Sequence, residues 1–211
     1  KCDRMDARVV RKPELESQAV ALDLLRQAFL DGPTMGLIEA VGSVRPHELD
    51  LAPEGVAAFD QLVDLVKGNR HRLPAWLEDI QVEYTRLFIG PQEPPVLLYA
   101  SCHLLPTQSV MSEETLAVRD AYGKSGLVVE RLNSLPDDHL GVELEFLFAL
   151  TRAAADADDV TETIRLVAER GEFIQRHLAG WGGQVADEIA KESQHPFFHA
   201  LALLLRACLK G

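Results

Sequence analysis

The chain has 211 residues, of which 47% are hydrophobic and 26% charged, and 21 Lys and Arg stand against 33 Asp and Glu, for a formal net charge of −12. This apolar fraction supports a folded core and excludes a disordered chain. The acidity excludes a sequence-independent nucleic-acid binder, because phosphate contacts need clustered Lys and Arg. The length suits one domain, or two small ones that share an interface.

The three cysteines, Cys2, Cys102 and Cys208, are far apart and form no CxxC pair. This count excludes a disulfide scaffold and a cysteine-based zinc finger, and it favours a reducing compartment. The chain contains no run of about 18 apolar residues, the length that a transmembrane helix needs. We therefore expect a cytoplasmic protein with no membrane insertion.

Helical spacing of apolar residues dominates the first part of the chain. A stripe that runs from Leu15 to Phe29 predicts a helix that ends at Gly32-Pro33. Proline suits the first turn of a helix, and glycine suits the position where a helix ends. Two more helices are therefore predicted, over the segments that begin at Pro53 and Pro74 and end at Gly68-Asn69 and Gly90-Pro91.

The middle of the chain is less regular. Residues 91–112 contain four prolines and an apolar run, Val96 to Tyr99, and so predict an irregular segment that lies against the body or lines a groove. Residues 113–123 predict a modest helix. Residues 124–136 contain glycine, asparagine, serine and proline and predict a hinge.

Three further helices are predicted after the hinge. Asp137 or Asp138 is expected to cap the first, and an Asp159-x-x-Glu162 capping box opens the second, which Gly182-Gly183 breaks. Pro196 opens the third. Since no period-2 strand pattern appears, we predict an all-α chain, a single globular helical domain of about eight to ten helices. Its N-terminal half (about 14–123) and C-terminal half (137–211) are joined by the hinge.

Motifs for catalysis are mostly missing: the sequence has no phosphate loop, GxGxxG, HExxH or GxSxG pattern. His139 and Glu143 are four residues apart on one predicted helix and could face one metal ion, or could simply stabilise the helix start. Glu192 and His195 form a single ExxH, whereas a di-iron bundle needs two. A metal-binding helical-bundle enzyme that uses His139, Glu143 and His177 or His199 is therefore the alternative hypothesis. The leading interpretation includes no metal and no cofactor.

Three segments carry a family resemblance. They are Glu83-Tyr84-Thr85-Arg86-Leu87-Phe88-Ile89-Gly90-Pro91, the run from Pro136-Asp137-Asp138-His139 to Glu143-Leu144-Glu145-Phe146-Leu147, and Phe173-Ile174-Gln175-Arg176-His177-Leu178 with Trp181 and Phe197-Phe198. In order and spacing, over roughly residues 55–210, they resemble the TorD/DmsD family of redox-enzyme maturation chaperones. The middle segment is the most specific.

The resemblance implies a cytoplasmic all-helical chaperone that is not an enzyme. Such a protein binds the twin-arginine signal peptide and the apo catalytic subunit of a molybdopterin oxidoreductase, assists cofactor insertion and delays export. It also implies a set of peptide-binding residues, namely Tyr84, Leu87, Phe88, Tyr99, Ser101, Pro136, Asp138, His139 and Glu143. Leu98 stands where the family usually has a proline before the aromatic residue that Tyr99 matches.

The physical requirements of that task fit the pattern. A twin-arginine leader presents two arginines and then an apolar stretch, so its receptor needs carboxylates beside an apolar groove. Asp138 and Glu143 are the predicted carboxylates, although Asp138 could instead be only a helix cap. We expect a monomer, with a domain-swapped dimer through residues 124–136 as the alternative.

Overall fold

A computed structural model describes residues 10–104, 113–126 and 135–210. These parts of the chain are helical, which confirms the all-α prediction. Ten α-helices occur in the described ranges: α1 (Lys12–Leu30), α2 (Met35–Ser43), α3 (Pro53–Gly68), α4 (Leu73–Tyr84), α5 (Ala100–Leu104), α6 (Glu113–Lys124), α7 (Leu140–Asp156), α8 (Val160–Phe173), α9 (Gly182–Glu192) and α10 (Pro196–Lys210). None of them is long and apolar enough to cross a membrane.

Three of these helices, α2, α5 and α9, were not predicted. Thr34 caps α2, its hydroxyl accepting a hydrogen bond from the Leu37 amide at 3.1 Å. The predicted break near Gly182-Gly183 is present, since the helical run ends at Leu178 and residues 179–181 form a turn, but Gly182 then begins a further helix, α9. A Cβ atom at Gly182 would lie 2.6 Å from Leu209 Cδ1, so glycine here permits close packing of α9 on α10.

Two helices continue into a wider turn. Residues Thr85–Ile89 follow α4 and Ile174–Leu178 follow α8 as single π-helical turns. Gly90 ends the first of these turns with a φ of 62°, and its amide donates to the Thr85 carbonyl at 2.6 Å. Glycine adopts this left-handed conformation at little cost, so the predicted stop at Gly90-Pro91 is confirmed.

Helices from both ends of the sequence share one core. The most extensive helix–helix packing joins α1 to α7, and α3 packs against α10. Buried side chains such as Leu25, Phe59, Leu147 and Leu201 belong to the same hydrophobic cluster. The predicted hinge lies largely outside the described residues, which omit 127–134, so the two-half organisation and the domain-swapped dimer stay predictions.

A buried carboxylate joins the end of α4 to the connection between α9 and α10. Glu83 accepts hydrogen bonds from Arg86 Nε (2.7 Å), Ser193 Oγ (3.1 Å) and the Gln194 amide (2.5 Å). Arg86 also donates to the Glu192 carbonyl at 2.6 Å. Burial raises the pKa of Glu83, but the hydrogen bonds from Arg86, Gln194 and Ser193 outweigh it and lower the pKa overall.

Gly141 allows the start of α7 to approach the end of α1. A Cβ atom at Gly141 would lie 2.7 Å from Leu30 Cγ and 3.1 Å from the Leu30 backbone nitrogen. We expect Gly141→Ala to lower the free energy of unfolding by about 1–3 kcal/mol, because backbone in a packed interface cannot move aside cheaply. Urea unfolding measures this change.

Gly171→Ala provides the matched control for that substitution. Gly171 also lies within a helix, and a Cβ atom there would meet nothing within 4 Å. Alanine should therefore stabilise the protein at this position by about 0.5–1 kcal/mol through helix propensity alone. Equal stability of the two variants would contradict close packing at Gly141.

Candidate functional site

Two distant segments meet in a short antiparallel bridge between Tyr99 and His139. The Leu140 amide donates to the Leu98 carbonyl at 2.8 Å, and the Ala100 amide donates to the Asp138 carbonyl at 3.0 Å. The rings of Tyr99 and His139 contact each other edge to face, with centroids 5.0 Å apart. The bridge therefore holds the apolar segment before α5 against the start of α7.

The Asp138 carboxylate joins this bridge to two other helices. Its side chain is fully buried. Oδ2 accepts from the Ser101 amide and Oδ1 accepts from Thr115 Oγ1, both at 2.9 Å. The carboxylate thus satisfies an amide in the first turn of α5 and fixes α6 beside it.

His139 caps α7, so the expectation that Asp137 or Asp138 would do so was wrong. Nδ1 of His139 accepts from the Gly141 amide at 3.1 Å. Asp137 pairs instead with Arg119, since its Oδ2 accepts from Nε and Nη2 at 2.7 Å. The two aspartates point to α6 because the chain turns at Pro136, whose carbonyl accepts from the His139 amide.

Several predicted site residues lie in the interior of the protein. Ser101 and Glu143 are both fully buried, and Glu143 lies in the first turn of α7. Leu87 is also fully buried and belongs to the core. In the part of the chain that the structure describes, no three His, Cys, Asp or Glu side chains come together in a way that could hold a metal ion. The metal-binding alternative therefore has no ligand set within these residues.

Tyr84 and Phe88 lie in an aromatic cluster between α4, α1 and α10. Phe88 contacts Tyr84, Phe198 and Phe29 with ring centroids 5.2, 5.8 and 5.9 Å apart. The Tyr84 hydroxyl donates to the Phe29 carbonyl at 3.3 Å. Both Tyr84 and Phe88 keep part of their surface exposed.

The aromatic cluster adjoins the bridge. The Val96 amide donates to the Leu87 carbonyl at 3.2 Å. In the segment that begins there, the side chains of Val96 and Leu98 are buried, while that of Tyr99 is partly exposed. The pKa of the Tyr84 phenol is raised, mainly by burial and to a lesser extent by the charges of Asp31 and Tyr99, as expected for close neighbours.

We name the partly exposed Tyr84, Phe88 and Tyr99, together with the exposed Asp31, the tyrosine surface. The structure thus brings the predicted residues Tyr84 and Phe88 close to Tyr99. The segment from Pro136 to Glu143 meets Tyr99 through the bridge at His139. The sequence pattern does not mark Asp31 as a binding residue, because acidic residues are common between a helix and a Gly-Pro turn.

His139 makes the stability of this region depend on pH. Burial lowers the pKa of His139 to about 4, although the Asp138 charge opposes the shift. The unfolded state, with a histidine pKa near ~6.5, binds a proton first as the pH falls. This contribution to stability is therefore present above about pH 6.5 and is lost towards pH 4, with a loss of about 2 kcal/mol between pH 7 and pH 5.

The variant His139→Asn tests that dependence. Asparagine is a favourable cap whose Oδ1 can replace Nδ1 as the acceptor, and it does not titrate in this range. Urea unfolding between pH 5 and pH 7 should show a shallower slope for the variant than for the wild type. The same slope in both proteins would assign the pH dependence to other groups.

Comparisons with known proteins give one family match and several relatives. The sequence model of the family described as nitrate reductase delta subunit matches residues 49–187. The Tat proofreading chaperone DmsD of Salmonella typhimurium is 30% identical over 132 residues, which cover 63% of this chain and 59% of that protein. The chaperone protein TorD of Vibrio parahaemolyticus is 25% identical over 153 residues, 72% of this chain and 71% of that one.

The matched segment thus spans less than two thirds of the DmsD relative. These relatives are named as chaperones and not as enzymes, in agreement with the prediction for this chain. The family match covers more than half of the sequence and includes the bridge, α4 and α7. The chain therefore belongs to the nitrate reductase delta subunit family, in which the TorD and DmsD chaperones are its relatives.

Proposed function

We propose that this protein is a cytoplasmic chaperone for a molybdopterin oxidoreductase subunit that is exported by the twin-arginine route. It binds the leader and the apo form of the subunit, assists cofactor insertion and delays export. The names of the relatives support the class of protein. The tyrosine surface is the observation that carries the proposal, because it combines partly exposed aromatic rings with an exposed carboxylate.

The chemistry of this surface fits the leader. Arginine stacks on aromatic faces and pairs with carboxylates, so a pair of arginines can use Tyr84, Tyr99 and Asp31. The apolar stretch that follows needs an apolar surface. Val82 and Ile89, which flank Tyr84 and Phe88 in the sequence, are 71% and 60% exposed. In this proposal, exposed apolar side chains of this kind supply that surface.

The buried members of the predicted set have a different task in this proposal. Asp138 has both oxygens engaged by the chain, and His139 engages the Gly141 amide, so neither offers the arginines a free acceptor at these atoms. We propose that both act as positioning residues, which hold Tyr99 and α5 in place. In this proposal the buried Ser101 and Glu143 and the partly exposed Pro136 support the same arrangement.

Calorimetric titration with a twin-arginine leader peptide tests the function. We expect binding that weakens when the arginine pair is replaced by two lysines, since lysine lacks the planar fork that stacks and pairs bidentately. Asp31→Asn should weaken binding by about three- to tenfold, the effect of losing one partly exposed charged contact.

Asp64→Asn is the matched control, because Asp64 is an exposed carboxylate on α3, away from the tyrosine surface. It should leave leader binding unchanged. The proposal fails if no leader encoded beside this gene binds. Equal effects of the two substitutions would remove Asp31 from the site. Light scattering after size exclusion reports whether the binding species is the expected monomer.

A further inference from the structure

A buried arginine on α8 is not part of the tyrosine surface, and leader binding does not explain it. Arg170 on α8 is only 6% exposed. Its Nη1 donates to Gln18 Oε1 and to Thr151 Oγ1, the latter at 3.4 Å, and both acceptors are neutral. Among the described residues, its buried Nε has no hydrogen-bond partner. The guanidinium is therefore only partly satisfied.

Within the described ranges, no carboxylate oxygen lies within 4 Å of this guanidinium, so it forms no ion pair there. Burial lowers the pKa of Arg170, and the more distant Cys208 and Glu14 raise it. Desolvation raises the pKa of the Cys208 thiol to about 12, which keeps it neutral near pH 7. A buried cation whose direct hydrogen-bond partners are neutral is costly to maintain unless something compensates its charge.

Arg170 lines a cavity of about 620 Å³ between α1, α3, α7, α8 and α10. This volume falls in the range of small-molecule sites, roughly 300–1,000 Å³. The cavity has apolar walls, formed by Leu22, Leu51, Leu147, Ile174 and Leu204. The first residues of α3 also line it, and Ala52, the residue that caps α3, has no side-chain oxygen to satisfy the helix amides. The positive end of the helix dipole thus adds to the charge of Arg170.

The remaining lining residues restrict the charge of a ligand. Glu14, Asp50 and Glu54 also border the cavity, as does the cation Lys210, and Arg11 compensates Asp50 at 2.6 Å. A group with two negative charges would be repelled by these carboxylates, whereas a single carboxylate gains the bidentate geometry that guanidinium offers. We propose that this cavity binds a small aliphatic carboxylic acid, with its carboxylate on Arg170 and its hydrocarbon part against the apolar walls.

Calorimetric titration with octanoate and with 1-octanol tests this proposal, since the two probes share a chain and differ in charge. The wild type should bind octanoate at least about tenfold more tightly than octanol, as a charged hydrogen bond requires. Arg170→Met should lose that preference and keep the octanol affinity. Equal binding of the two probes, undetectable octanoate binding, or unchanged octanoate binding by Arg170→Met would overturn the proposal.

Two further variants keep the experiment decisive. Arg176→Met removes the charge of an arginine whose side chain is 74% exposed, and it should bind octanoate like the wild type. Arg170→Met should stay folded, because an apolar side chain of similar volume commonly replaces a buried ion without loss of stability. Arg170→Gln supplies a second neutral variant that can still hydrogen-bond to Gln18 or Thr151. It too should lose the preference for octanoate.

Discussion

Replacing Asp138 by alanine is expected to lower the free energy of unfolding by about 3 kcal/mol. The substitution removes two hydrogen bonds to an ionised carboxylate, each worth about 1.5–3 kcal/mol, and leaves the Ser101 amide buried without an acceptor. Thr115 loses its hydrogen bond to the same carboxylate. Urea unfolding measures the change. The leader affinity should fall as well, because α5 and Tyr99 lose their anchor.

Asp138→Asn separates positioning from charge. Its Oδ1 can accept from the Ser101 amide while its amide group donates to the Thr115 hydroxyl, which is both donor and acceptor. If Asp138 acts by positioning, this variant should retain most of the stability and of the leader affinity that alanine removes. A folded Asn variant with the weak binding of the alanine variant would instead show that the negative charge itself meets an arginine.

Replacing Glu83 by alanine is expected to cost about 2–3 kcal/mol. Removing one member of a buried ion pair costs about 3–5 kcal/mol, and the 37% exposure of Arg86 reduces that figure because water can solvate the stranded charge. The Gln194 amide also loses its acceptor, whereas Ser193 Oγ keeps the His195 carbonyl as an acceptor. Chemical unfolding gives the magnitude.

Glu78→Ala is the control for this substitution, since Glu78 is an exposed residue on the same helix. Its effect should be small, as for most surface substitutions. Hydrogen exchange should show the loss in Glu83→Ala concentrated where α4 meets the connection before α10. A uniform change, or one as small as that of Glu78→Ala, would mean that the Glu83 contacts contribute little.

Helix bounds were predictable where proline and glycine act locally. Pro53 begins α3 and Pro196 begins α10, because a proline in the first turn removes an amide that the helix does not use. Helix α2 was harder to detect, since its nine residues include Gly36 and Gly42. Short segments of this kind become helical through packing, and packing partners are not visible in a local pattern.

The candidate site shows the same limit. The sequence pattern marked Asp138 and His139, but it could not assign their partners, because Ser101 and Thr115 are 37 and 23 residues away from Asp138. Glu83 and Arg86 carried a local signal, a charged pair three residues apart within an apolar stripe. Arg170 carried none, since an arginine in an amphipathic helix normally faces water.

The packing of α1 against α7 also has a consequence for synthesis on the ribosome. Arg26 and Glu145, which contact each other across this interface at 3.4 Å, are 119 residues apart in the sequence. The apolar surface of α1 that packs against α7 therefore lacks this partner until α7 has been translated. Contacts at such separation form late and leave apolar surface exposed to aggregation in the meantime. A protein proposed to protect an unfinished client is thus itself prone to aggregation until α7 has been translated and has packed against α1.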